Sequence, residues 1–218
     1  NMFMKIDDRI KCYYNNKNRG LTKNLNKLIN LSQCEFIARM DADDISIQDR
    51  LEKQLVFLIQ HPIVDVVGGA IVEIDELGES RNKVISYPNT HDGCYRFFAK
   101  RDPLAHPSVL FRRSYFRKAG LYNEKFKINQ DTVLWSKGFL NGCVFANISD
   151  IVLKYRINNS FFNDRRNGWS RAINFFNTRL IINKKLNYGF RGNFYALVML
   201  FITISPSSVK KLCYKYLR

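Results

Sequence analysis

The last quarter of the chain has no acidic residue. Residues 165–218 carry eleven Lys and Arg and neither Asp nor Glu, whereas the first 164 residues carry 24 basic and 19 acidic side chains. Cysteine is scarce: the five present (Cys12, Cys34, Cys94, Cys143, Cys213) are widely spaced, with no C-x-x-C pair. That spacing excludes a zinc ribbon or a disulfide scaffold and makes reduced cytosolic thiols the simplest reading. Long apolar runs are also missing. The longest, Phe194 to Ile204, falls short of the about 20 residues that a spanning helix needs. No basic-then-apolar leader follows Asn1, so no secretory signal is expected. What is abundant is core material: 46% of the 218 residues are hydrophobic and 14% aromatic, which excludes disorder by composition.

The net charge of +16 is therefore mostly a property of the C-terminal segment. A composition shift this sharp predicts a boundary near residue 164, with a main domain over 1–164 and an extension over 165–218. Within the extension, Trp169, Ala172, Ile173, Phe176, Leu180 and Ile181 fall at helical spacing, with Arg171, Arg179, Lys184 and Lys185 between them. Val209, Leu212, Cys213, Tyr216 and Leu217 repeat the pattern opposite Lys210, Lys211, Lys215 and Arg218. Basic amphipathic helices suit an anionic membrane surface, although the same pattern fits helices packed on the domain with solvated basic faces. Nucleic acid is not the expected partner, because no zinc finger, ribonucleoprotein motif or basic-zipper heptad is present.

Along the main domain, Arg9 to Tyr14 reads as a short strand and NNKNRG (15–20) as a turn. Leu21, Leu25, Leu28 and Ile29 predict a helix buried on one face. Phe36 to Met40 is the next strand and stops at Asp41-Ala42-Asp43-Asp44. Ser46 and Asp49 form a capping-box pattern before a helix expected to bury Leu51, Leu55, Leu58 and Ile59 and to end before His61-Pro62. Val64 to Ile74 reads as a strand in which Gly68-Gly69 marks a bulge or a close backbone approach. Strands alternating with helices predict a parallel or mixed sheet covered by helices.

In open α/β sheets, ligands bind beyond the carboxyl ends of strands, where Asp41, Asp43 and Asp44 lie. Three carboxylates in four residues repel unless a cation or hydrogen-bond donors neutralise them. An all-oxygen set suits Mg²⁺ or Mn²⁺ rather than zinc, and such an ion takes its other ligands from water and substrate phosphate. The competing reading is a solvated loop before a helix. The spacing does not fit an EF-hand loop. His61 and His91 show no partner spacing and read as surface residues.

The stretch Asn18 to Gln54, NRGLTKNLNKLINLSQCEFIARMDADDISIQDRLEKQ, resembles the family 2 glycosyltransferases, enzymes of GT-A fold that build bacterial surface polysaccharides. The similarity continues through Val66-Val67-Gly68-Gly69, HPSVLFR (106–112), Gln130-Asp131 with Trp135, and Tyr155-Arg156. The resemblance implies a Rossmann-like mixed sheet flanked by helices, followed here by the basic helical extension. It implies that Asp41 and Asp43 form the D-x-D motif that binds metal, ribose and diphosphate, with Asp44 adjoining. Asp131 becomes the candidate catalytic base, with Gln130 and Trp135 beside it on the acceptor side. Arg39 and Arg50 flank the D-x-D, as phosphate contacts or as ordinary ion pairs. His106 resembles an acceptor-side residue, and Asn18, Gly20 and Asn26 match the lining of the nucleotide pocket. Taken alone, Asp131 could equally cap the following helix, and His106 could be a packed loop residue.

The implied chemistry is an inverting displacement. Asp131 would take the proton of the acceptor hydroxyl, and Mn²⁺ or Mg²⁺ would offset charge on the leaving nucleoside diphosphate. The implied partners are a nucleotide-sugar donor, a lipid-linked or saccharide acceptor, and an anionic membrane surface met by residues 165–218, on the inner face of the cell membrane. Two departures stand out. The elements that grip nucleobase and ribose in the family would lie before residue 1, so the domain is expected to be N-terminally incomplete, with unpaired strand edge and apolar surface exposed. Many relatives carry His shortly after Tyr-Arg, where this chain has Ile157-Asn158, and Asn158 would be a weaker metal ligand. A non-catalytic remnant of such an enzyme is the alternative reading, and a nucleic-acid-binding protein a more distant one.

Overall fold

The computed structural model describes residues 2–157 and 169–217. Asn158 and the boundary expected after residue 164 lie outside the described residues. Among the described residues, strands β1 (Phe36–Ala38), β2 (Ile45–Ser46), β3 (Val66–Ile74), β4 (Ser80–Ile85), β5 (Leu110–Arg112) and β6 (Phe145–Arg156) form one sheet. Its order is β1-β5-β3-β6-β2, with β4 paired to β3. β3 and β6 run parallel, and the other pairings are antiparallel. The helices are α1 (Met2–Ile6), α2 (Leu21–Leu31), α3 (Arg50–Gln60), α4 (His91–Phe98), α5 (Arg113–Ala119), α6 (Gln130–Leu140), α7 (Trp169–Lys185), α8 (Gly189–Ile204) and α9 (Ser207–Leu217). This is the mixed, helix-flanked sheet that the alternation of strands and helices predicts.

β3 is buried along almost its whole length, as a strand covered on both faces must be. Its two glycines are there for space. A Cβ on Gly68 would lie 2.4 Å from Asn147 Oδ1, and one on Gly69 would lie 2.7 Å from a Val152 methyl. The β3–β6 register shifts beside Gly69 and Ala70, so the sequence reading of a close approach and a bulge both hold. The main core gathers Phe98, Phe111, Tyr115, Trp135 and Phe145, and α7 adds Ile182 to it, with Leu186 just beyond the helix end. The first helix of the basic segment is thus built into the same core as the sheet. Tyr188, just after α7, donates to the Tyr95 carbonyl at 2.6 Å, which pins that end to α4.

Four local readings change. Arg9–Tyr14 forms no strand. The capping box does not form: Asp49 is the N-cap of α3 without a side-chain cap bond, and Ser46 Oγ donates to the Ile47 carbonyl. On α3 the buried face is Arg50, Gln54 and Leu58, while Leu51 is 53% and Ile59 63% exposed and Leu55 also faces out. The reason is hydrogen bonding. Arg50 donates to the carbonyls of Arg39 and Val109, and Gln54 to those of Val67 and Ser108. These two side chains tie α3 to the sheet and to the segment before β5, bonds that an inward Leu could not make. On α2 the buried residues are Thr22, Asn26 and Ile29, and Leu21 and Leu28 are exposed. Among the described residues, the outer edge of β1 has no strand partner.

Among the described residues no helix is long and apolar enough to cross a membrane. α8 nevertheless shows an aromatic stripe: Phe190 is 84% exposed, and Phe194, Leu197 and Phe201 follow it at helical spacing, all exposed. α9 lies against β3 and β4. The Tyr214 hydroxyl donates to the Glu73 carboxylate, and Lys83 Nζ sits 4.5 Å above the Tyr214 ring and donates to its carbonyl at 2.9 Å.

Candidate active site

β1 delivers Arg39 and the acidic loop. The Arg39 amide donates to the Val109 carbonyl at 3.0 Å, which extends the β1–β5 ladder by one bond. Beyond the loop, Ile45 pairs with Lys154 of β6, so residues 41–44 are stretched between two strands. Arg156, at the end of β6, holds the loop from outside. Its amide donates to Asp44 Oδ1 at 2.9 Å, its Nε to the Asp43 carbonyl at 2.8 Å, and one terminal nitrogen to the carbonyls of Asp75 and Glu76, each at 2.8 Å.

The three carboxylates of this loop converge. One oxygen each of Asp41, Asp43 and Asp44 lies within 4.8 Å of the others. Asp44 is 7% exposed, and its Oδ2 is buried without a hydrogen-bond partner. Burial pushes its carboxyl up to about 6, against the Arg156 amide bond and with the charges of Asp41 and Asp43 adding to the rise. A buried oxygen with no donor, beside two more carboxylates, fits a hard divalent cation such as Mg²⁺ or Mn²⁺. Arg39 is buried and grips Asp41 with both terminal nitrogens, one at 2.9 Å from Oδ2, while its Nε is buried and unpaired.

The second acidic group stands at the start of α6. Asn129 caps the helix in the left-handed region at φ 58°, which Asn tolerates better than most residues. Asp131 lies in the first turn rather than at the cap, and is half-buried. The Thr132 amide donates to its Oδ1 at 2.9 Å. Desolvation first, and the charge of Asp102 second, raise its carboxyl above the ordinary range, while the Arg39 charge opposes them. Tyr122 feels the charges of Arg39, Asp131 and Asp41 together. Arg39 therefore stands in the common field of both acidic groups.

The other expected site residues fall in different settings. His106 is buried in a single 3-10 turn, its Nε2 2.7 Å from the Tyr122 hydroxyl and its ring edge-on to Tyr122 and Trp135. Burial and the Arg39 charge hold it neutral, well below the usual imidazole range. Trp135 is fully buried in the core and Gln130 half-buried beside Asp131. Asn26 is buried and clamps a loop: its side chain donates to the Tyr122 carbonyl at 2.9 Å and accepts from the Tyr122 amide at 3.0 Å. Asn18 and Gly20 are exposed before α2, where Asn18 Oδ1 accepts the Gly20 amide at 2.9 Å and Gly20 takes φ 78°.

A mixed sheet flanked by helices, with an acidic loop beyond one strand, is the GT-A architecture. The chain belongs to glycosyl transferase family 2, whose family model matches residues 1–120. It is 31% identical over 203 residues to the amylovoran biosynthesis glycosyltransferase AmsE of Erwinia amylovora, covering 91% of this chain and 74% of that one. It is 33% identical over 160 residues to the O-antigen biosynthesis glycosyltransferase WbnJ of Escherichia coli, covering 72% of this chain and 61% of that one. The fold is similar to that of residues 1–349 of TarS from S. aureus, solved with UDP-GlcNAc, at a TM-score of 0.55 and 15% identity over 83% of this chain and 51% of that one.

Four residues that the motif reading left without a role take part. Asp102 accepts the Thr132 hydroxyl and a guanidinium nitrogen of Arg179, Tyr122 holds His106, and Arg156 supports the acidic loop. Asp102 and Tyr122 lie in connecting loops without periodic pattern, and Arg179 looks like any basic residue on an amphipathic helix. Only Arg156 left a signal, the Tyr-Arg pair itself.

Proposed function

We propose that this chain catalyses inverting transfer of a sugar from a nucleotide-sugar donor to a hydroxyl of a lipid-linked or saccharide acceptor, in assembly of a surface polysaccharide. The observation that carries the reading is the convergence of the Asp41, Asp43 and Asp44 carboxylates around a buried Asp44 oxygen without a donor, beyond the strand that also delivers Arg39. The polysaccharide-assembly names of the two relatives and the UDP-GlcNAc complex of the structural neighbour support the same reading.

In this mechanism Asp131 accepts the proton of the acceptor hydroxyl as its oxygen attacks the anomeric carbon and the bond to the diphosphate breaks. A carboxyl raised above its ordinary range is a stronger base than a solvated one and still ionised near neutrality. The Thr132 amide fixes Oδ1, and Oδ2 makes no side-chain hydrogen bond among the described residues. Arg39 brings positive charge toward the diphosphate and orients Asp41. Neutral His106 holds the Tyr122 hydroxyl beside the site. Mn²⁺ or Mg²⁺ held by Asp41, Asp43 and Asp44 would supply positive charge to the departing diphosphate. Donor turnover by the full chain with Mn²⁺, compared with Asp43→Ala and Asp131→Asn, tests this. Both variants should lose transfer, and unchanged turnover in both refutes the roles.

The reaction is placed at the inner face of the cell membrane, through the basic C-terminal segment. The aromatic stripe of α8 and the acid-free composition of residues 165–218 support a bilayer contact. Phe190→Ser with Phe194→Ser should abolish sedimentation with anionic vesicles while leaving transfer to a soluble acceptor unchanged. Retained sedimentation counts against the contact.

A further inference from the structure

The basic C-terminal segment reaches into the site as well as toward a surface. Arg179 lies in the middle of α7 and is 4% exposed. One terminal nitrogen donates to the Phe98 carbonyl at 2.8 Å, at the end of α4, and the other to Asp102 Oδ1 at 2.9 Å. The guanidinium also stacks 4.8 Å from the Phe98 ring and 5.5 Å from Phe175. Asp102 accepts the Thr132 hydroxyl at 2.8 Å, and the Thr132 amide donates to Asp131. The path from the C-terminal helix to the proposed base is thus unbroken: guanidinium, carboxylate, hydroxyl, amide, carboxylate.

Thr132 ties the two carboxylates together, its hydroxyl on Asp102 and its amide on Asp131, and the charge of Asp102 disfavours ionisation of Asp131. Burying an Arg costs several kcal/mol unless its bonds are made, so its placement here calls for a reason beyond packing. We propose that Arg179 is a positioning residue for Asp131: by holding Asp102 in place, it orients Thr132 and through it the catalytic carboxylate, so the C-terminal segment completes the active site.

The groups that face Asp131 are Asp102 from the loop after α4, Arg39 from the end of β1 and Tyr122 from the loop after α5, with Arg179 of α7 behind Asp102. Arg39 remains when Arg179 is removed, so the change isolates the α7 cation. With Arg179→Met, Asp131 should hold its proton to a higher pH, because the cation nearest Asp102 is gone. kcat at neutral pH should fall at least about tenfold with the donor KM unchanged. Arg179→Lys should recover most of the loss.

This inference rests on the reading of Asp131 as base, and two measurements on the full chain separate them. Carboxylate ¹³C NMR titration, assigned with Asp131→Asn and Asp102→Asn, reports the pair without any turnover. If no nucleotide sugar is turned over but Arg179→Met still moves the pair, the base reading fails and the positioning holds. If turnover is normal and the pair does not move, the positioning is overturned. The second measurement is a double-mutant cycle in kcat. Because Arg179 acts through Asp102, Arg179→Met should cost nothing further in the Asp102→Asn background, whereas additive losses overturn the proposal. Should Arg179→Met not fold, Arg179→Lys and Asp102→Asn decide. A downward move of Asp131 in Asp102→Asn supports the path, and an unmoved one overturns it.

Discussion

Two acidic groups among the described residues are held in opposite ways. The loop of Asp41, Asp43 and Asp44 leaves a buried oxygen, Asp44 Oδ2, without a donor, and its neighbours Arg39 and Arg156 hold its edges and backbone. The pair of Asp102 and Asp131 is closed within the protein by Thr132 and Arg179. The difference matches the two roles proposed above. A loop that takes an exogenous cation leaves a carboxylate oxygen without a donor, and a base that must stay aligned has its neighbours tied down from within the protein.

The sharpest way to break this contrast is to remove one charge from each cluster. Asp131→Asn should lower the transfer rate by about 10²–10⁴, the usual worth of a positioned general base, with nucleotide binding by calorimetry unchanged. Asp44→Asn should do the reverse. Mn²⁺ affinity should fall by about 10–100-fold or more, the range seen when even an outer partner of a metal site is lost, and isothermal titration reads it directly.

The same substitution sharpens the comparison in stability. The Asp44 carboxyl is raised from 3.8 to about 6 in the folded chain. It therefore binds its proton more tightly when folded than unfolded. The sign follows: stability is greatest below about pH 4 for this group and is lost as pH rises through about 6. Removing that ionisation in Asp44→Asn should raise stability at pH 7, without metal, by up to about 3 kcal/mol. Thermal unfolding in chelator should show the higher Tm, and added Mn²⁺ should stabilise the wild type but not the variant. The smallest expected effect is on the pH profile. Since Asp131 is also raised, the acid limb of kcat should lie above the ordinary carboxylate range, and Asp102→Asn should move it down, because the repelling charge is gone. A limb that stays in place in Asp102→Asn would show that the pair is not coupled.

Much of the first cluster was legible in the sequence, because it is local. Three Asp residues at a strand end need no tertiary information to be seen together, and the ordered motifs from Asn18 to Arg156 carried the family. The second cluster was half legible. Asp131 stood out within the motif series, but its partners come from a loop at residue 102 and a helix at residue 179, which no spacing connects. Helix faces were legible in period and misread in orientation. On α3 the leucine stripe has the right spacing, yet Arg50 and Gln54 face inward because backbone carbonyls there require donors. Asn26, expected at the nucleotide, makes a second contact that no spacing foretells, to the Tyr122 backbone.

By itself the sequence determined the alternation of strands and helices, the acidic loop, the glycine pair at the β3–β6 approach and the excess of positive charge after residue 164, since all of these are contiguous or periodic. Only the tertiary structure decided where that charge goes. It turns Arg179 inward to Asp102 while the aromatic stripe of α8 faces outward, because a partly buried carboxylate draws a cation from wherever the chain can bring one, and that depends on proximity in space rather than order along the chain.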